Sequence, residues 1–113
     1  MHELGIVYEI AKTVENVVEQ NGLSRVEAII LQIGELSTVI PKYIRDCYPA
    51  AVDGTMLEET ELKIEILPGN ARCSDCGKIY NVIKNRGLCP DCGGREREIL
   101  SGREFMIKEI VAC

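Results

Sequence analysis

Histidine occurs once in this 113-residue chain, at His2, phenylalanine once, at Phe105, and tryptophan not at all. With one imidazole, placed beside the amino terminus, no Ser-His-Asp or Cys-His constellation can be assembled, which removes triad-type nucleophilic catalysis. Carboxylates are plentiful, but their spacing pairs no two of them for general acid–base work. No apolar run approaches the ~20 residues of a membrane span. The start also lacks the basic flank, apolar stretch and small-residue cleavage site of a secretory signal. A non-enzymatic, cytoplasmic protein without a membrane span is the expectation. Positive charge is scarce as well: 13 Lys and Arg face 18 Asp and Glu, for a formal net charge of −5. Such a surface repels phosphate backbones, so nucleic acid is not an expected partner.

What is present reads as one folded domain, or one domain with a small appendage: 46% of residues are hydrophobic and 27% charged. Residues 4–20 place Leu4, Val7, Ile10, Ala11, Val14, Val17 and Val18 at helical spacing, and Asn21-Gly22 stops the helix. Valines are poor helix formers, so packing must hold it. Residues 25–36 are β-branched and mostly apolar, a strand in which Gly34 marks a bend or a close backbone approach. A second helix starts at Pro41, with Ile44, Cys47 and Ala51 as its core stripe; Pro49 predicts a break or kink near residue 48. Clean alternation over 61–67 predicts a second strand, and 104–112 is again strand-like, alternating best at Phe105, Ile107 and Val111. The fold class is therefore α+β: a small three-stranded sheet with two helices, plus an inserted zinc-ribbon-like module. The domain limits that follow are 1–69 with 98–113 for the α+β part and 70–97 for the insertion.

That insertion carries "CSDCG" at 73–77 and "CPDCG" at 89–93, a C-x2-C-x12-C-x2-C pattern. Each two-residue gap lets a turn aim two thiolates at one point, and Gly77 and Gly93 let the backbone close around them. Cys73, Cys76, Cys89 and Cys92 thus supply the four sulfurs of a tetrahedral Zn2+ site with no open position, which is structural rather than hydrolytic. Spacing does not distinguish iron from zinc in such a cage. No βαβ pattern surrounds either pair, which argues against a thioredoxin-like redox motif. The segment between the knuckles, "KIYNVIKNRGL", reads as a hairpin turning near Asn85-Arg86-Gly87. Cys47 reads as a small buried apolar group, and Cys113 has no assigned role.

The start, "MHE", concentrates a different chemistry. A terminal histidine is often an idle surface group. Here the Met1 amine, the His2 amide and the His2 imidazole can reach one ion through adjoining chelate rings, with Glu3 adding a carboxylate. Such nitrogen-rich ligation suits Ni(II) and Cu(II). The following helix opposes a cation at its N-terminal end, and Glu3 or a deprotonated amide offsets this.

Taken together, "MHE", "IGELS" at 33–37, "CSDCG" and "CPDCGG", in that order and at this length, resemble the HypA/HybF family of hydrogenase maturation nickel metallochaperones. The resemblance covers essentially the whole chain. It implies a carrier that binds Ni(II) at His2, supported by Glu3 and the Met1 amine, beside a structural Zn(II) in the four cysteines. It also implies partners: a GTPase nickel-insertion accessory protein, the large subunit of [NiFe]-hydrogenase and, for some members, urease accessory proteins. Two departures stand out. Gly5 replaces a usual Ser, loosening an N-cap, and "RDCYPAAVDGT" replaces a phenylalanine-rich second-helix segment. The alternative reading is a zinc-ribbon interaction module without nickel function, and a third is redox regulation through the thiols.

Overall fold

The computed structural model describes residues 2–113, with His2 described through its backbone only. The elements run α1 (His2–Gln20), β1 (Val26–Gly34), α2 (Pro41–Val52), β2 (Glu61–Leu67), β3 (Asn70–Cys73), β4 (Ile79–Asn81), β5 (Arg97–Ile99) and β6 (Phe105–Ala112). They form two three-stranded sheets, ordered β2-β1-β6 and β4-β3-β5. The contacts divide the chain into two units, residues 1–32, 39–65 and 106–113 on one side and 33–38 with 66–105 on the other. The α+β class and the first sheet are as the sequence predicts. The second sheet is new, because strands of three or four residues are too short to show a period.

In the first unit α1 packs on α2. The buried face of α1 is Val7, Ile10, Ala11, Val14 and Val18, the stripe expected from the spacing. Fully burying a valine such as Val14 contributes about 1.5 kcal/mol, which outweighs its weak helix propensity of a few tenths. Ile29 and Leu31 of β1 are fully buried, as are Ile44 of α2 and Leu57 after it. The opposite face is mixed: Val26 and Ala28 are buried on it, while further along Gln32 Nε2 donates to Glu65 Oε1 (3.2 Å) and Lys108 Nζ reaches both Glu65 oxygens (3.0 and 3.1 Å). Those donors hold the Glu65 carboxyl below its usual range.

Chain direction in this sheet follows from its hydrogen bonds. Cys113 N donates to Arg25 O and Gly34 N to Glu104 O, so β6 runs antiparallel to β1. Thr60 Oγ1 donates to Val26 O at one end and Glu35 N to Leu67 O at the other, so β2 runs parallel to β1. A parallel neighbour requires a crossover, and α2 supplies it. Tyr48 ties that crossover down, its hydroxyl donating to Thr60 O at 3.0 Å. Burial pushes the Tyr48 phenol up to about 12.

Two helix expectations need correction. Pro49 does not break α2, which continues to Val52. It lies in the last turn, where little helix remains to be lost, and Pro49 itself is exposed. Gly5 is not a failed cap, since α1 already begins at His2. Gly5 sits inside the first turns, exposed, with nothing within 4 Å of where a Cβ would stand. Gly5→Ala is therefore expected to stabilise the chain by about 0.5–1 kcal/mol, read as a rise in the urea midpoint at unchanged slope. Among the described residues, no helix is long and apolar enough to cross a membrane.

Candidate metal centre

The second unit is organised around its two cysteine knuckles, which repeat one backbone pattern. Gly77 N donates to Cys73 O (2.9 Å) and Cys73 N to Lys78 O (2.8 Å). Gly93 N donates to Cys89 O (2.9 Å) and Cys89 N to Gly94 O (3.0 Å). Both turns close through a left-handed glycine, Gly77 at φ 79 and Gly93 at φ 73, a conformation that a Cβ disfavours. Gly94 lies close under the second knuckle: a Cβ there would stand 3.3 Å from Cys92 Sγ and would push the exposed Asp75 carboxylate aside.

These turns bring Cys73, Cys76, Cys89 and Cys92 together, their sulfurs all within 4.8 Å of one another. Cys73 Sγ lies 3.5 Å from Cys92 Sγ, and Cys76 Sγ 3.5 Å from Cys89 Sγ. Four sulfurs at ~2.3 Å from a central Zn2+ in tetrahedral array would be ~3.8 Å apart, so the donor set fits that ion in number, type and spacing. The first cysteine of each knuckle is buried and the second exposed. Backbone N–H groups favour the thiolates. The Cys92 amide, helped by that of Asp91, brings Cys89 down to about 7 against the cost of burial. At Cys92 the Gly94 amide acts the same way, but the neighbouring Cys73 and Cys76 thiols outweigh it and push the group up to about 12. Four thiols this close cannot all ionise without a cation among them.

Beneath the sulfurs lies a small core of Ala71, Cys73, Tyr80, Val82 and Cys89, with Leu36 and Ile99 packed against it. β3 is its central strand, antiparallel to β4 through Asn70↔Asn81 and Arg72↔Ile79, and to β5 through Ala71↔Ile99 and Cys73↔Arg97. The hairpin expected between the knuckles is thus displaced. Its strands are β3 and β4, which flank the first knuckle, while 82–88 is a compact turn. There Gly87 N donates to Val82 O, and Arg86 (φ 55) and Gly87 (φ 77) reverse the chain. Two successive left-handed residues favour that tight closure over a second extended arm.

"GEL" at 34–36 proves to be a structural clamp, a role its sequence did not suggest. Glu35 Oε1 accepts from Gly69 N (2.7 Å) and from Asn81 Nδ2 (2.8 Å). The Asn81 and Gly69 donors hold its carboxyl below the usual range. Leu36 N donates to Gly102 O (2.7 Å) while its side chain packs against Gly69. Ser101 Oγ donates to Pro68 O (2.9 Å), and β5 is paired with β3. The one local hint was a carboxylate placed directly after a strand glycine.

The amino-terminal candidates are placed less fully. Met1 and the side chain of His2 lie outside the described residues. Glu3 is half-buried in the first turn of α1. Cys47 is buried and Cys113 exposed.

A family model described as hydrogenase/urease nickel incorporation, metallochaperone, HypA matches residues 1–112. Hydrogenase maturation factor HypA of Streptomyces avermitilis is 38% identical over 112 residues, covering 97% of this chain and 86% of that protein. The protein of the same name from Chlorobium luteolum is 36% identical over 111 residues, covering 98% and 95%. In fold, the chain is similar to the solution structure of the Ni metallochaperone HypA from Helicobacter pylori, with a TM-score of 0.66 at 18% identity and 97% and 96% coverage. A second solution structure of a HypA protein gives 0.70 at 19%, covering 100% and 97%. With its motifs, its clustered thiols and its relatives agreeing over nearly the full length, this chain belongs to the HypA family of hydrogenase and urease nickel-incorporation metallochaperones.

Proposed function

We propose that the protein is a cytoplasmic carrier that binds Ni(II) through the Met1 amine, His2 and Glu3. It hands the ion to the large subunit of [NiFe]-hydrogenase, acting with a GTPase accessory protein, and urease accessory proteins are a second destination. Cys73, Cys76, Cys89 and Cys92 hold a Zn(II) that organises residues 70–97, while nickel belongs to the part built from 1–69 and 98–113. Family membership over residues 1–112, with the chain's sole histidine at position 2, carries this reading.

Elementary chemistry supports it. The first N–H groups of a helix have no intrahelical acceptor, so the His2 amide at the start of α1 is free to serve a metal. Glu3 adds negative charge where the helix end is positive. A terminal chelate with few side-chain ligands gives up its ion readily to a competing site, as a carrier must. Protons compete for the amine and imidazole, so affinity falls with pH. Zinc when bound supplies a rigid four-sulfur tether and no catalytic position.

Calorimetric nickel titration tests this on untagged protein, on His2→Ala and on a copy extended by Gly-Ser before Met1. Both changes are expected to weaken nickel binding by at least ~100-fold while the zinc content stays at one per chain. Unchanged affinity in His2→Ala would overturn the assignment. Unchanged affinity in the extended copy would remove the amine from it.

A further inference from the structure

Charge is unevenly divided between the two units. Residues 33–38 and 66–105 hold seven basic and six acidic residues, whereas the rest of the chain holds six basic and twelve acidic. Within the less acidic unit, Arg86, Arg95 and Arg97 converge with Gly87 and Leu88 on one open cleft of about 330 Å³. All three arginines are exposed, and none forms an ion pair among the described residues.

Arg97 is held in place by the backbone. Its Nη1 donates to Gly87 O (3.1 Å) and to Arg95 O (3.1 Å). Two bonds occupy both Nη1 hydrogens and leave Nε and Nη2 with three donors, the pair of nitrogens that grips a carboxylate through two parallel bonds. A guanidinium fixed beforehand loses less freedom on binding than a free one. Arg86 lines the cleft from a left-handed backbone position, φ 55, and Gly87 beside it is left-handed too, at φ 77. Leu88, 41% exposed, adds an apolar wall.

We infer that this cleft is a docking site for an acidic, leucine-bearing peptide segment of a partner protein. Carboxylates pair with Arg97, Arg86 and Arg95, and an apolar side chain meets Leu88. A long polyanion such as nucleic acid fits less well, because the other unit has twice as many acidic as basic residues and repels an extended phosphate chain. A short segment meets only the local field. The site uses no residue of either metal centre, so it stands or falls separately from the nickel assignment.

The test is fluorescence anisotropy of a fluorescein-labelled peptide of three Glu-Asp-Leu repeats, titrated with full-length zinc-loaded protein at low salt. Arg86→Glu with Arg95→Glu leaves the Arg97 bonds to backbone oxygens intact. It is expected to weaken binding by ~10-fold or more. Lys12→Glu with Lys42→Glu changes net charge equally in the other unit and is expected to cost under ~3-fold. Amide shifts in labelled protein should concentrate at Gly87, Leu88 and residues 95–97. Equal loss in both double variants, or no binding by the unaltered protein, would overturn the proposal. Stronger competition by inorganic phosphate or oligo-dT than by unlabelled peptide would reassign the cleft to phosphate chemistry. A salt-sensitive dimer that the first double variant dissociates would make a second copy of this chain its occupant.

Discussion

Cys89→Ala is expected to release the bound zinc and to unfold the second unit as a whole. Cys89 is 3% exposed and does two things at once: its sulfur stands 3.5 Å from Cys76 Sγ, and its side chain belongs to the core beneath the cluster. Among the described residues that cluster has five buried members, and Ile33 adds one more, for a unit of 46 residues. So few apolar groups do not offset the ordering entropy of that much chain, and small units of this kind need a metal or disulfide tether. Structural zinc supplies an apparent ~10–16 kcal/mol in isolated finger peptides, ample for the purpose. Removing one of four sulfurs also leaves an incomplete cage in which the remaining thiols cannot all ionise to hold the metal. Metal analysis should then find no stoichiometric zinc, and hydrogen exchange should find β3, β4 and β5 unprotected while α1 and α2 keep slow amides. Retained protection in β3 without zinc would show that hydrophobic packing alone holds the unit. A chelator added to the unaltered protein should reproduce the same exchange pattern.

Gly102→Ala and Gly34→Ala should be the most damaging methyl additions in the molecule. Gly34 faces the backbone of Gly102, and a Cβ on Gly34 would run into the Gly102 carbonyl. Gly102 has φ 106, and its own Cβ would run into Gly69 Cα and stand 3.1 Å from Pro68 O. Neither backbone segment can retreat cheaply, because Gly34 N donates to Glu104 O (2.8 Å) and Leu36 N to Gly102 O (2.7 Å) across the same contact. The added costs are of two kinds, overpacking at ~1–3 kcal/mol and left-handed strain at ~1–3 kcal/mol. Both apply at Gly102 and the first at Gly34, so Gly102→Ala is expected to be the worse. A loss of ~3 kcal/mol or more corresponds to a fall in Tm on the order of 10 °C. Scanning calorimetry of the zinc-loaded variants, beside Gly5→Ala as the favourable counterpart, decides it. A Tm within about 2 °C of the unaltered protein would mean that the two backbones part without penalty.

Much of the architecture was readable because its signals are local. The α1 stripe from Val7 to Val18 and the alternation over 61–67 follow from periods of 3.6 and 2, which any buried face imposes. The cysteine knuckles were equally plain, since two residues between ligands and a glycine after them suffice to close each turn. Pro49 does not end its helix because it falls in the last turn, and how far α2 runs beyond it is decided by the burial of Ala51 and Val52. The 82–88 segment misled for a related reason: β3 took the pairing edge of β4, leaving the later residues to turn.

By itself, then, the order of residues determined the helices, the long strands, the four-sulfur ligand set and the family, because each rests on spacing within a short window. Tertiary structure decided the partners of those pieces. It placed Glu35 against Gly69 and Asn81, stacked Gly34 on Gly102, and gathered Arg86, Arg95 and Arg97 at one cleft. Contacts between residues so far apart in the chain depend on how the elements pack together. No periodicity encodes them, because the free energy of such a contact exists only once both segments have been brought to the same place.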